Sequence, residues 1–369
     1  MMPGRGIFLL LLAVALAGLL GCSASPSHLA YLSLPNLNAV AAYRIKNDSA
    51  QFTALVGSPF PAGMSPSSVC VHPSNRFVYV ANQESNNISL FKIDSTIGSL
   101  SEVLPRTATG ITPVALAMNA SGSFLFVANQ ASSNISVYSV NSGTGALTRV
   151  AGSPFTTYPN PVALAVTPSG KFLYVVNPNQ ASIFGYSISS GGALQQVASF
   201  QFTVGTGPFG IAIDPANKFV YVTNSSANTV SVLTINSSTG ALTNIPESPF
   251  TTGTTPLAVA VHPSGQYLYV GNEGSGGISG FSVDSTSGVL TEITGSPFTG
   301  TTSPVLLVVD PNGNFVYAVS QSSKLVSVFS ITLASNTSNA STSTLGALTS
   351  NAQSASTGVA ASSMFVTTK

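Results

Sequence analysis

An all-β, closed, seven-bladed propeller of four-stranded blades is the architecture this sequence predicts, and three observations carry it. An aromatic anchor recurs every 47 or 48 residues, at Tyr31, Tyr79, Phe126, Tyr174, Tyr221, Tyr269, Tyr317 and Phe365. Each interval holds four short strand-like runs bounded by Gly, Pro, Ser and Asn, the pattern of a propeller blade. The chain also ends on a strand-like segment that its first repeat lacks, so the ring can close on itself.

The strands follow one order in every repeat. An apolar run such as Val162-Ala-Leu-Ala-Val166 comes first, then a tight Pro-Ser-Gly turn. The anchor strand follows, as in Phe77-Val-Tyr-Val-Ala-Asn82, Phe172-Leu-Tyr-Val-Val-Asn177 and Tyr267-Leu-Tyr-Val-Gly-Asn272. After a polar Asn/Ser loop, an alternating run such as Ile135-Ser-Val-Tyr-Ser-Val140 makes a third strand. A Gly-Ala-Leu turn leads to the last, which ends in Ser-Pro-Phe in four repeats, at Pro59, Pro154, Pro249 and Pro297. Short β-branched runs between turn residues read as strands rather than helices. Proline at the end of the last one marks a sheet edge, where no ladder donor is needed.

The ends predict closure. The first repeat begins at Tyr31 with no apolar strand before it, whereas Gly358–Val366 supplies an extra copy of that strand and an eighth anchor, Phe365. Counted so, there are seven first, third and fourth strands and one surplus second strand. The carboxy-terminal strand then completes the blade begun at residue 29, which protects both terminal edges from pairing with other chains. An open solenoid of the same repeats would leave them bare. Residues 332–344 are polar and low in complexity, the composition of a flexible surface loop. The blade that carries them lacks Ser-Pro-Phe, so its outer strand is expected to fray.

Composition narrows the function classes. Charged residues make up 6% of the chain, against about 25% in ordinary domains. The net charge is +1, which provides no field for a phosphate backbone and excludes nucleic acid as a partner. Hydrophobic content of 44% argues against disorder. The histidines His28, His72 and His262 are isolated, and the cysteines Cys22 and Cys70 have no metal-ligand spacing. No cofactor is implied. Cys70, between Val69 and Val71, reads as a small core residue.

The amino terminus reads as an export address. Arg5 precedes the apolar run Ile7–Leu20, too short to span a bilayer at about 20 residues but of signal-peptide form. Leu19-Leu20-Gly21-Cys22 resembles the lipobox of bacterial lipoproteins. That resemblance implies a signal peptide over residues 1–21, cleavage before Cys22 and a diacylglycerol on its thiol. Residues 22–28, with His28, would then be a tether and 29–369 the propeller. The implied place is the cell envelope, as a membrane-anchored lipoprotein facing periplasm or exterior, with the membrane touched through the lipid alone and the protein a monomer. The competing reading is a secretory signal cleaved near Ala24, with Cys22 lost.

The Tyr-Val-x-Asn phrases, Pro-x-Gly turns and Gly-Ala-Leu hairpins resemble the YVTN-repeat propellers and the seven-bladed lactonase propeller family. The resemblance covers residues 29 to 366 and implies the fold. Some lactonase-family members hydrolyse 6-phosphogluconolactone or cycloisomerise muconates, and many exported members have no assigned role. A fold of this kind does not by itself fix an activity.

Residues that break the repeat on one face are the place to seek chemistry. His72 and His262 share a ring position with Asn119, Thr167, Asp214 and Asp310, all able to bond backbone at a turn. The repeated Asn82, Asn129, Asn177, Asn224 and Asn272, with Ser320 in the next repeat, hold loops by the same logic. Glu84, Glu273, Lys324 and Arg106 remain on the loop face, with Tyr158 near them. Glu84 and Glu273 lie four blades apart, poorly placed to act on one bond. One Arg and one Lys also fall short of a phosphate clamp. No Ser-His-Asp set, phosphate loop or metal cluster is present. The sequence therefore favours a non-catalytic binding or scaffold propeller that meets envelope proteins or glycans. The alternative is a lactonase-like hydrolase with Glu84 or Glu273 as general base and Arg106 as oxyanion partner.

Overall fold

The computed structural model describes residues 27–334 and 344–368. The expected signal peptide, Cys22 and most of the polar loop lie outside the described residues. Seven antiparallel sheets form the blades of a ring. In blade 2 the order from axis to rim is Pro66–Val71, Phe77–Asn82, Asn87–Ile93 and Leu100–Ala108. Blades 3 to 7 repeat it, beginning at Pro113, Ala163, Pro208, Pro256 and Pro304.

Blade 1 joins the two ends of the chain. Ser363–Val366 pairs with Ser27–Leu34, in the register Tyr31↔Phe365 and Ala30↔Val366. Phe365 is therefore on an innermost strand and is not an eighth anchor; every strand position is filled seven times. Met364-Phe365-Val366 mimics the anchor phrase in residue type, and only pairing separates the two. The first strand also starts earlier than expected. Ser27 and His28 belong to it, so the presumed tether residue His28 is a buried strand residue.

The hydrophobic core lies between blades. Phe126, Ala128 and Ile135 of blade 3 pack on Leu173, Val175 and Phe184 of blade 4. At the closure, Tyr317, Val319 and Val328 of blade 7 pack on Ala30, Leu32 and Met364 of blade 1. Anchor tyrosines tie neighbours together more directly. Tyr31, Tyr79, Tyr174 and Tyr269 donate to the carbonyls of Gly98, Gly145, Gly240 and Gly346, each in the next blade's outer hairpin, at 2.8–3.0 Å. Burial pushes these phenols above their ordinary range, so they stay donors. Burying each ring stabilises the ring of blades by roughly 1.5–3 kcal/mol. Burial likewise pushes the Cys70 thiol up to about 12, which leaves it unreactive.

The Ser-Pro-Phe motif does more than end a strand. The Ser-Pro bonds at 58–59, 153–154, 248–249 and 296–297 are cis, and they sit where the outermost strand breaks in two. In blade 3 both Leu147–Arg149 and Phe155–Thr156 pair with Asn134–Val140. Across the break the serine hydroxyl accepts the neighbouring strand's N–H: Ala42 to Ser58, Val137 to Ser153 and Val232 to Ser248, each at 2.9 Å. Blade 7, without the motif, does not fray. Its outer strand Leu348–Ser356 pairs with Leu325–Ile331 from Leu325↔Ser356 to Ile331↔Leu348.

Candidate functional site

All seven blades line one central cavity of about 450 Å³. Its wall is mostly apolar, with Val114, Val162, Leu257 and Val305 at the inner strands of blades 3, 4, 6 and 7 and the half-exposed ring of Phe209 from blade 5. Polar side chains enter at Ser67, Gln83, Gln130 and Ser362. A cavity of this size suits one small organic ligand.

The asparagines that end the anchor strands build the mouth. Asn82 Oδ1 accepts the Gly63 N–H at 3.1 Å, while its Nδ2 donates to Asn87 Oδ1 at 2.8 Å and Ser89 Oγ at 3.0 Å. Asn129 repeats this with Gly110, Asn134 and Ser136. Asn82 and Asn129 thus clamp the incoming link to the outgoing loop, while Asn224 and Asn272 keep the Nδ2 bonds to the outgoing strand. The next residue then bonds over the top of the inner strand: Gln83 N–H to Ser65 O, Gln130 to Thr112 O, Ser225 to Gly207 O and Glu273 to Thr255 O, at 2.8–2.9 Å. This register brings Gln83 and Gln130 to the cavity, and their side-chain amides have no hydrogen-bond partner among the described residues.

Of the residues singled out from sequence, Glu273 alone shares that ring position. It is half-buried and its carboxylate is unpaired. Glu84 stands one residue further out on the blade 2 loop and is exposed. Arg106 is not brought to the mouth at all. It lies on the outermost strand of blade 2, bidentate on Glu102 with Nε–Oε1 2.7 Å and Nη2–Oε2 3.1 Å. That pairing raises its pKa further and corrects its expected role as an oxyanion partner. Lys324 is exposed on the blade 7 loop in a left-handed conformation, φ 58°. Tyr158 stacks on Phe184 at 4.3 Å between centroids.

The histidines serve the opposite end. Nδ1 of His72 meets Ser74 Oγ at 2.8 Å and accepts the Ser74 N–H at 3.1 Å; His262 does the same with Ser264. Asp214 and Asp310 cap the same turns by accepting the N–H groups of Phe219 and Phe315 at 2.8 and 2.7 Å. Among the described residues, no group of three or more His, Cys, Asp or Glu could hold a metal ion.

Sequence reasoning missed Gln83 and Gln130 because it looked for charge. A signal was present: the residue after the anchor-strand asparagine runs Gln83, Gln130, Pro178, Ser225, Glu273 around the ring, and it varies where the scaffold around it repeats.

The family model described as Lactonase, 7-bladed beta-propeller matches residues 27–165 and 159–348. Among solved structures, a candidate 6-phosphogluconolactonase from Bacteroides fragilis is 22% identical with a TM-score of 0.77, over 92% of this chain and 98% of that one. One from Bacteroides uniformis is 19% identical, TM-score 0.78, over 92% and 99%. The periplasmic gluconolactonase of Pseudomonas aeruginosa is 18% identical, TM-score 0.75, over 93% and 99%. At such identities the likeness is one of fold. No curated protein matches the chain. A family match of this extent, to a family described by an enzymatic activity, overturns the expectation of a non-catalytic binding or scaffold propeller.

Proposed function

Because the chain belongs to the Lactonase, 7-bladed beta-propeller family, we propose that it is a lactone hydrolase working at the mouth of the central channel. The observation that carries this reading is the placement of Glu273 at the ring position from which Gln83 and Gln130 reach the cavity. Its carboxylate is the one acid–base group at that position among the seven blades.

In this reading Glu273 takes a proton from water as the water oxygen attacks the lactone carbonyl. A free amide of Gln83 or Gln130 donates to the carbonyl oxygen as negative charge gathers there. The ring C–O bond then breaks, the alkoxide takes the proton back from Glu273, and a hydroxy acid leaves. The apolar walls limit water around the reacting centre. Two of the structural neighbours are described as candidate 6-phosphogluconolactonases and one as a gluconolactonase, which supports the choice of sugar lactones as substrates.

The test is hydrolysis of D-glucono-1,5-lactone and its 6-phosphate, followed as acid release above the spontaneous rate. Glu273→Gln should lower kcat by about 10²–10⁴-fold. Equal rates in the two proteins would remove Glu273 from the chemistry, and no turnover of any lactone would remove the reading. We propose in addition that Cys22 carries the lipid anchor. Palmitate labelling that Cys22→Ala abolishes would support that placement at the envelope, and unchanged labelling would refute it.

A further inference from the structure

We propose that the channel selects uncharged lactones over phosphorylated ones, with Gln83 and Gln130 as the specificity-determining residues; this rests on the lactonase reading above. None of the Lys or Arg side chains of the described residues lines the cavity. Most are committed elsewhere. Arg44 bonds to Ser27 Oγ, Arg76 to the Ser142 and Gly143 carbonyls, Lys218 to the Ser285 carbonyl, and Arg106 to Glu102. Lys324 shares the mouth face but stands on the outer part of its loop, exposed to water.

The polar groups that do face the cavity divide into two kinds. Ser67 Oγ donates to the Pro113 carbonyl at 2.8 Å and Ser362 Oγ to the Pro66 carbonyl at 3.0 Å, so both hydroxyls link adjacent blades. The side-chain amides of Gln83 and Gln130 bond to no group among the described residues. A primary amide offers two donors and one acceptor, which matches sugar hydroxyls that both give and take hydrogen bonds. Phe209 adds an apolar face for the C–H side of a sugar ring. A phosphate entering the same space would shed water and meet neutral amides, with the Glu273 carboxylate at the rim. Desolvating an anion without a cationic partner is unfavourable, and recognition of phosphate ordinarily recruits Arg or Lys.

The experiment compares kcat/KM for D-glucono-1,5-lactone and its 6-phosphate in the wild-type protein and in Gln130→Arg. We expect the uncharged lactone to be favoured at least tenfold, and Gln130→Arg to narrow that ratio tenfold or more by improving the phosphate ester. Preference for the ester in wild type, or a ratio unmoved by the arginine, overturns the proposal. Calorimetric titration with uncharged gluconolactam and its 6-phosphate reads the same preference without chemistry. Tighter lactam binding with no turnover supports the channel selectivity while refuting the hydrolase reading. Tighter binding of the phosphate, or binding of neither, refutes the selectivity itself.

Discussion

Gly110 lies directly beneath the side chain of Asn129: it donates its N–H to Asn129 Oδ1 at 3.2 Å, and a Cβ there would fall 2.7 Å from Asn129 Cγ. Gly63 with Asn82, Gly205 with Asn224 and Gly253 with Asn272 repeat the close approach at 2.5–2.6 Å. Three blades depart from it: in blade 1 the anchor strand ends in Leu34 and the link Gly358 has open space above it, and the other two departures are informative. Where the link residue is Thr301, the anchor strand ends in the shorter Ser320. Where it is Tyr158, Asn177 turns and donates Nδ2 to the Tyr158 carbonyl at 2.6 Å. A side chain on the link and the usual asparagine clamp therefore exclude each other, and the clamp sets the height at which Gln83 and Gln130 meet the channel.

Gly110→Ala should consequently cost about 1–3 kcal/mol of stability, the range for overpacking a closed contact. Asn129→Ser loses the clamp and removes the Cγ and Nδ2 contacts with the methyl group, leaving only the Ser132 hydroxyl, which can rotate away, against it. The double variant should then be more stable than the sum of the single losses, as in a coupled pair. Urea midpoints of the four proteins measure this, and simple additivity would show that the contact is not the cause.

The fold was legible because repetition survives substitution. Anchors such as Tyr79, Tyr174 and Tyr269 mark each blade, and their hydroxyls bond to the next blade's glycine, 66 residues on for Tyr79 and Tyr174 and 77 for Tyr269, where the longer blade 7 hairpin intervenes. What was misread had no local signature. Phe365 copies the anchor pattern, and only its pairing with Tyr31 reveals an inner strand. His28 follows Ser25-Pro26-Ser27, which suits a tether as well as a turn, and its ring bonds to Asn312, 284 residues away. Arg106 reads as a free cation until Glu102, one helical-style spacing earlier but on one β-strand, is seen to hold it. Gln83 and Gln130 matter through having no partner in the fold, which residue type alone does not disclose.

The Arg106–Glu102 pair gives the second prediction. It is partly exposed on an outermost strand, where such pairs contribute about 0–1 kcal/mol. Arg106→Met should change stability by no more than that and leave kcat/KM for a lactone within about threefold. A tenfold or larger loss of kcat/KM at unchanged stability would return Arg106 to the site.

His28 predicts a pH dependence. Burial holds its pKa below the ordinary 6.5, with Asp310 opposing the shift, and Nε2 meets Asn312 Nδ2 at 2.9 Å. Below about pH 6.5 the unfolded chain takes up a proton that the folded one refuses, so stability falls as pH drops through that value. The limiting slope is about 1.4 kcal/mol per pH unit for one proton. His72 is lowered by burial too and adds to the effect. Asp310 is raised by burial, so its contribution has the opposite sign. The melting temperature should decline from pH 7.5 to 5.5, and His28→Gln should flatten the decline in part. An unaltered profile in that variant would locate the titration elsewhere.

The last prediction concerns the ring closure. Thr367 occupies the turn-capping position held elsewhere by His72, Asn119, Thr167, Asp214, His262 and Asp310. Its Oγ1 accepts the Leu29 N–H at 2.9 Å and its own N–H donates to Leu29 O at 2.8 Å. In Thr167 the equivalent Oγ1 bond reaches Phe172, five residues on, at 3.1 Å. The two threonines make the same cap, but at Thr167 the chain itself holds the turn together, whereas at Thr367 the cap joins opposite ends of the sequence. Thr167→Val and Thr367→Val should each cost about 1–3 kcal/mol by leaving an N–H without its acceptor, buried at Phe172 and part-buried at Leu29. Their local effects should differ. In Thr367→Val the strand Ser363–Val366 loses a restraint that no covalent turn replaces, so amide exchange should quicken along it and along Ala30–Leu32. In Thr167→Val faster exchange should stay within the turn at 167–172. The same confined pattern in both variants would mean that side-chain packing of Met364 and Val366 closes the ring without help from the cap.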